Sequence, residues 1–504
     1  MQSFQTSRSF NYSFLLIFAA FIASSSWNLF AQTSATNQWV GTWSCAPYAV
    51  ASGNTPPAIT NNTLRQIVRV SIGGDTIRVK FSNKTSGSAV TMKAVNIAVS
   101  PDGTKSAITA STIKQLQFNG SASITMNAGA IATSDPVAFT LTPSMRVAIT
   151  IFYGSAANST DMTGHPNSRT DSYLLSGDKT TSADFAGATV VAHWYHITAI
   201  DVLTSPSAAA VGVLGNSITD GYGLSGGLQN RWTDMFSEAL FKNAATAQVG
   251  VLNLGIGATN VAGTGATTGA SRYQQDILNQ SGVRWAIIFY GINDIYGGAT
   301  ATTITDTYKK MVTDAHAKNI KVFGATITPF NGHSYYSPAN EAVRSSVNKW
   351  IHTAGNFDAC IDFDKTIRNP ADTTKLQAAY SNDWLHPNAA GYKLLGESID
   401  PNLFKQDTKV IEAADGKNNR VAEIHSIHSN GTTMITFEIP RETFISLKVY
   451  SMLGKEIAEL AGRKFSSGKH TVEFKGGNCA PGVYVCLIKT DKFSDSRKMV
   501  FPVR

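Results

Sequence analysis

The chain reads as a multidomain protein with three folded units in series. These are an N-terminal β-sandwich, a central α/β/α unit on a five-stranded parallel sheet, and a small C-terminal β domain of immunoglobulin-like type. Three observations carry this reading. Apolar and polar residues alternate with period two through residues 34–205. From Ser205-Pro206 onward, apolar runs instead alternate with amphipathic helical stretches. After Pro401 the composition turns polar, and strand-like runs then resume. The expected boundaries are 1–31 for an export signal, 32–205 for the sandwich, 206–404 for the α/β unit, 405–429 for a linker and 430–504 for the tail domain. A length of 504 residues is more than one ordinary core holds.

Residues 14–23 form an apolar core behind a start made weakly positive by Arg8 and the free amine, and Ala31 suits cleavage. That core is too short to cross a bilayer, and no later segment holds roughly 18 uninterrupted apolar residues, so no integral membrane segment is expected. Hydrophobic residues at 43% and charged residues at 15% fit globular, β-rich units. Part of the formal charge of +8 is local, because residues 405–504 hold 16 Lys/Arg against 11 Asp/Glu. The remainder is close to balance and gives no reason to expect nucleic acid as a partner. The four cysteines, Cys45, Cys360, Cys479 and Cys486, allow up to two disulfides in an exported protein. Cys360 sits in an apolar strand pattern and reads as a buried free thiol; Cys479 and Cys486 are near enough in sequence to pair.

In the first unit, Val68, Val70 and Ile72 precede Gly73-Gly74-Asp75, and Ile77, Val79 and Phe81 follow. This is the pattern of a hairpin. Met145, Val147, Ile149 and Ile151 repeat the alternation. Many short strands separated by Gly/Ser/Asn/Thr turns give the sandwich expectation.

In the second unit, strands are expected over 208–214, 248–254, 285–290, 320–327 and 358–363, with helices over 232–242, 305–317 and 340–352. Five β–α repeats imply a parallel sheet covered on both faces, with ligands bound beyond the carboxyl ends of its strands. Ser217, Gly255 and Asn293 each follow one of these strands. Ser217 lies in Gly215-Asn216-Ser217-Ile218-Thr219-Asp220-Gly221, where a serine flanked by glycines presents its hydroxyl. A serine hydroxyl needs a base to accept its proton. His386, in Asp383-Trp384-Leu385-His386-Pro387, is the candidate base, with Asp383 orienting its other nitrogen. Pro387 suits the first turn of a helix through Leu394 and Leu395. A developing oxyanion needs fixed donors. The Ser217 amide, an amide of the loop after Gly255 and the Asn293 side chain are the candidates. Alone, Asp-x-x-His or Gly-x-Asn-Asp is an ordinary turn; the ordered set at strand ends points to catalysis.

With these residues in place, 208–400 resembles the SGNH, or GDSL, hydrolase family through Ser217, the Gly255–Ala258 loop, Asn293 and His386. The resemblance implies a flavodoxin-like three-layer fold, no metal, no cofactor and ester hydrolysis. The sequence departs from the family at Asn216, where Asp is usual, and at the oxyanion glycine, where Asn253 as anchor aligns Ala258; a one-residue shift makes Gly257 the donor instead. Trp39-Val40-Gly41-Thr42-Trp43 and Thr163-Gly164-His165-Pro166-Asn167-Ser168-Arg169 resemble the β domain preceding this module in secreted bacterial esterases. That resemblance implies a glycan-binding unit or a wall of the cleft, with His165 and Arg169 toward substrate; a turn held by local hydrogen bonds is the alternative. Leu447-Lys448-Val449-Tyr450-Ser451-Met452-Leu453-Gly454-Lys455, Pro481-Gly482-Val483-Tyr484 and Lys498-Met499-Val500 resemble the C-terminal sorting domain of type IX secretion substrates. This implies passage through the outer membrane by that machinery, with release or retention at the cell surface.

Other chemistries find little support. Gly255-x-Gly257-x-x-Asn260 lacks the third glycine of a dinucleotide loop and is not in the first β–α turn. No phosphate-binding Gly-x-x-x-x-Gly-Lys-Ser/Thr and no His-Glu-x-x-His occurs. His193, His196 and His386 fall in contexts that favour ordinary roles over metal ligation. The expectation is therefore a secreted serine esterase acting through an acyl-enzyme on O-acetyl or other short acyl groups of polysaccharide. A short-chain lipid esterase or a non-catalytic glycan-binding surface protein is the alternative.

Overall fold

The computed structural model describes residues 37–50, 58–405, 423–429, 432–439, 442–451, 456–475, 482–490 and 494–501. The expected export signal, most of the expected linker, Cys479 and Pro481 lie outside the described residues. Among the described residues, no helix is long and apolar enough to cross a membrane.

The centre of the molecule is a five-stranded, fully parallel sheet of Ala209–Gly215, Val249–Gly255, Val283–Phe289, Lys321–Ala325 and Ala359–Ile361. Its spatial order is second, first, third, fourth, fifth, the doubly wound order in which the chain reverses direction beside the first strand. Alternate residues of the first strand serve two cores. Ala209, Val211 and Val213 join Trp232 and Phe236 of Trp232–Lys242 and Tyr392 and Leu395 of Ala389–Glu397. Ala210 and Leu214 join Tyr308 and Met311 of Ala301–His316 and Val347 of Pro338–His352. The helices start where their sequences cap them. Thr300 accepts from Thr303 N, and Ser337 accepts from Asn340 N with Pro338 in the first turn. The fourth strand stops at Ala325, short of 327, because Ile327 N leaves the ladder to donate to Asn348 Oδ1 at 2.8 Å. Pro387 is not in the first turn of its helix; it precedes the Asn388 cap and is bridged to Ser381.

The N-terminal region is strand-rich, with antiparallel sheets of five, seven and three strands among the described residues. The expected hairpin around Gly73-Gly74 does not form. Asn62–Arg69 pairs within the seven-stranded sheet and Gly74–Ser82 within the five-stranded one, so this turn carries the chain between sheets. Neither glycine has positive φ; Gly73 is instead required because the Leu141 carbonyl occupies the place of a Cβ. Side chains of both sheets merge with those of the parallel-sheet region in one apolar cluster. The seam is also polar: Gly41 N donates to Ser281 O at 2.9 Å, Val251 N to Ser71 Oγ at 3.0 Å, and Arg69 Nη2 to Glu238 Oε1 at 2.5 Å.

Beyond residue 422, two antiparallel sheets of three and four strands share a core that includes Ile435, Phe437, Leu447, Val449 and Ile488. Glu423–Ser429, inside the stretch read as a linker, is a strand paired with Thr432–Ile439. Its polar composition conceals backbone pairing that makes no demand on apolar side chains. Cys45 and Cys486 are buried, and Cys360, expected to be buried, is a free thiol only half-buried.

Candidate active site

Ser217 stands two residues past the first strand and opens the short helix Ser217–Asp220. Asn216 Oδ1 accepts from Ile218 N at 3.1 Å, a local bond that an amide supplies as well as a carboxylate. Glycine at 215 and 255 lets this helix sit between two strand ends. A Cβ on Gly255 would lie 2.5 Å from Asp220 N, and one on Gly215 would collide with Thr219.

Ser217 Oγ is 2.9 Å from His386 Nε2, and His386 Nδ1 is 2.8 Å from Asp383 Oδ2. The acidic partner on Nδ1 places the proton there and leaves Nε2 free to accept from the serine hydroxyl. Asp383 Oδ1 also accepts from Leu385 N at 3.1 Å and His386 N at 2.7 Å. Wrapping this turn around one carboxylate holds Trp384 at φ +65°, an outlier for a bulky side chain. Burial drives the His386 pKa below its ordinary 6.5, and His333 and Arg169 add to this, against the opposing pull of Asp383. Burial would raise the Asp383 carboxyl, but its bonds from the His386 amide and ring outweigh that and hold it below the ordinary value. The Tyr222 ring lies against the imidazole with centroids 4.2 Å apart.

Asn293 lies in Ile292–Tyr296, just after the third strand, and its Nδ2 donates to Thr259 O at 2.9 Å. Its neighbour Asp294 is buried and accepts from Val261 N and Ala262 N, each at 2.9 Å, tying this helix to the loop after the second strand. Ala258 takes φ +58°, the left-handed conformation a glycine adopts freely, whereas Gly257 does not. Beneath them, buried Arg272 donates to Leu254 O at 2.6 Å, Gly215 O at 3.0 Å and Tyr290 Oη at 2.6 Å. One guanidinium thereby fastens the strand ends that carry the serine and the Ala258 loop.

These groups meet in a cavity of about 600 Å³ lined by Ser217, Gly257, Ala258, Asn293, Asp383 and His386. Its far wall is N-terminal: Tyr48, Pro166, Asn167 and Arg169. Of the two residues expected toward substrate, Arg169 reaches the cavity and His165 does not. His165 is buried, with Nδ1 2.8 Å from Ala46 O and Nε2 3.0 Å from Asp220 Oδ1. The ring thereby bridges the Ala46 carbonyl and the Asp220 carboxylate across the seam. Arg231 reinforces this seam by donating to Asp220 O at 2.9 Å and to Ser168 O. His193 and His196 are engaged elsewhere. His193 Nδ1 accepts from Asn167 N, and His196 Nδ1 meets Tyr153 Oη.

Residues 213–394 match the model of the GDSL-like Lipase/Acylhydrolase family. Over this stretch the chain is similar to GDSL-like hydrolases. Solved structures similar to the chain include a GDSL-like lipase from Bacteroides thetaiotaomicron, at 20% identity over 41% of this chain and 88% of that one, TM-score 0.29. A member of the lipolytic G-D-S-L family from Veillonella parvula shares 22% identity over 38% and 96%, TM-score 0.30. A catalytic mutant of an acetylxylan esterase from Geobacillus stearothermophilus shares 19% over 38% and 92%, TM-score 0.31. No curated protein matches the chain significantly.

Sequence reasoning overlooked several residues of the GDSL-like site. Asp220 sits inside the serine block, yet its partner is 55 residues upstream, so only the fold reveals their pairing. Tyr222 and Arg272 carry no motif at all. Glycine at strand ends was the available signal for Arg272, since close backbone packing there creates carbonyls that need a donor.

Proposed function

We propose that the protein is a secreted serine esterase that removes O-acetyl or other short acyl groups from polysaccharide. The observation that carries this reading is the continuous chain Ser217 Oγ, His386, Asp383 at 2.9 and 2.8 Å, opening on a cavity shared with Ala258 and Asn293. In the proposed reaction, Ser217 Oγ attacks the ester carbonyl as its proton passes to His386 Nε2. The carbonyl oxygen becomes an oxyanion that accepts from the amides of Ser217 and Ala258 and from the Asn293 side chain. Collapse breaks the bond to the alcohol, which leaves with the proton from His386. Water then attacks the acyl-Ser217 ester, gives a proton to His386 and releases the acid; the proton returns to Ser217.

Ala258 rather than Gly257 is the assigned donor, because its left-handed φ is kept at a cost that needs a local reason. A largely polar wall with Asn167, Arg169, Asp220, His333 and Ser334 suits a hydrophilic alcohol and a short acyl group better than a long lipid chain. Export rests on the resemblances of the two ends of the chain.

Acid release by the purified full chain from acetylated xylan, acetylated pectin and a short-chain triglyceride, with Ser217→Ala as control, tests the reading. Acetate from a polysaccharide, lost by on the order of 10⁴-fold or more in the variant, is expected. Release from triglyceride alone would move the protein to lipid esters. Glycan binding without ester turnover would replace the esterase reading with a binding one.

A further inference from the structure

Resting on the esterase reading, we propose that Arg169 is a subsite for an oxyanion on the saccharide, a carboxylate or a sulfate ester, so that the N-terminal region selects esters of acidic glycans. Among the described residues, Arg169 is the one Lys or Arg lining the cavity with Ser217 and His386. Both lining carboxylates are already engaged. Asp383 accepts from His386 and two backbone amides, and Asp220 Oδ1 lies 3.0 Å from His165 Nε2. Arg169 Nη2 stands 3.6 Å from Asp220 Oδ2, beyond a hydrogen bond, and its buried Nε has no partner among the described residues. This long ion pair to Asp220 leaves the guanidinium only partly engaged by the wall. A guanidinium so placed in the cavity lining is matched by a planar or tetrahedral oxyanion, which takes its Nη N–H groups.

Position supports the assignment. The Tyr222 ring centre is 4.2 Å from that of His386 and 5.4 Å from Arg169 Cζ, which puts the cation one aromatic ring from the base. A charged substituent of the sugar that carries the ester falls in this range. The backbone agrees: Asn167 and Arg169 hold φ of +56° and +55°, left-handed values that non-glycine residues keep where the surroundings impose them.

The test compares kcat/KM for an acetylated oligogalacturonide, its carboxyl-reduced counterpart and an acetylated sulfated oligosaccharide. The protein is expected to favour an acidic substrate over the reduced one by about tenfold or more, and the better acidic arm identifies carboxylate or sulfate. Arg169→Gln should bring that ratio to within about threefold of unity, and Arg169→Lys should retain part of it. In the Ser217→Ala protein, Arg169→Gln should weaken binding of the deacetylated acidic oligosaccharides by about tenfold, with Arg169→Lys controlling for folding. A ratio near one in the parent, or a ratio and affinity unchanged by Arg169→Gln, would overturn the subsite while Ser217-dependent turnover left the esterase reading standing. Absence of any Ser217-dependent turnover would overturn both.

Discussion

The parallel-sheet region and the N-terminal sheets meet at one cavity but contribute to it differently. In the proposed reaction, the parallel sheet supplies the reacting groups from strand ends. Ser217 and His386 are 169 residues apart, yet the doubly wound order brings them within a hydrogen bond. The N-terminal sheets supply a wall, and they fasten it through a buried polar contact: the His165 ring enters the serine loop and meets Asp220. On the proposed reading, chemistry is placed by topology and recognition is added across a seam. The seam is anchored to the same short helix that carries the nucleophile, so a fault in the wall reaches the serine.

This contrast can be broken from either side. On the parallel-sheet side, Asn293→Ala should lower kcat by about 10²–10³-fold, read in steady-state kinetics, because a fixed donor to the oxyanion is lost. An unchanged rate would remove Asn293 from the hole. On the N-terminal side, His165→Gln removes the buried ring that bridges Ala46 O and Asp220 Oδ1 and should cost about 2 kcal/mol of stability by denaturant unfolding. A loss well under about 1 kcal/mol would show that Arg231 and the apolar seam hold the wall unaided. The smallest effect couples the two. Catalysis needs neutral His386, whose pKa is depressed, so kcat/KM should fall only as pH drops below 6.5, with its acid midpoint under that value. Removing the Arg169 charge, which contributes to the depression, should move the midpoint upward.

Much of this was legible from the sequence where function and local pattern coincide. The five parallel strands, the helix Trp232–Lys242 and the Ser217, Asn293, Asp383 and His386 positions follow from periodicity and motif, because strand-end chemistry needs small residues and turns at fixed places. The N-terminal region was legible only as strands. Gly73-Gly74 has the composition of a hairpin turn, yet nothing local tells whether the next strand pairs with the last or crosses to another sheet. His165 and Arg169 lie in one short stretch, and pattern could not separate the buried ring from the residue that lines the cavity. Their difference is set by Asp220, a residue of another region.

The central claim is that Ser217, activated by His386 and Asp383, carries the acyl group. The most direct measurement is mass spectrometry of the protein quenched during turnover of 4-nitrophenyl acetate. The expected result is one acetyl group per chain, located on Ser217 and absent from Ser217→Ala. Turnover with an adduct on another residue, or turnover that survives in Ser217→Ala, would contradict it.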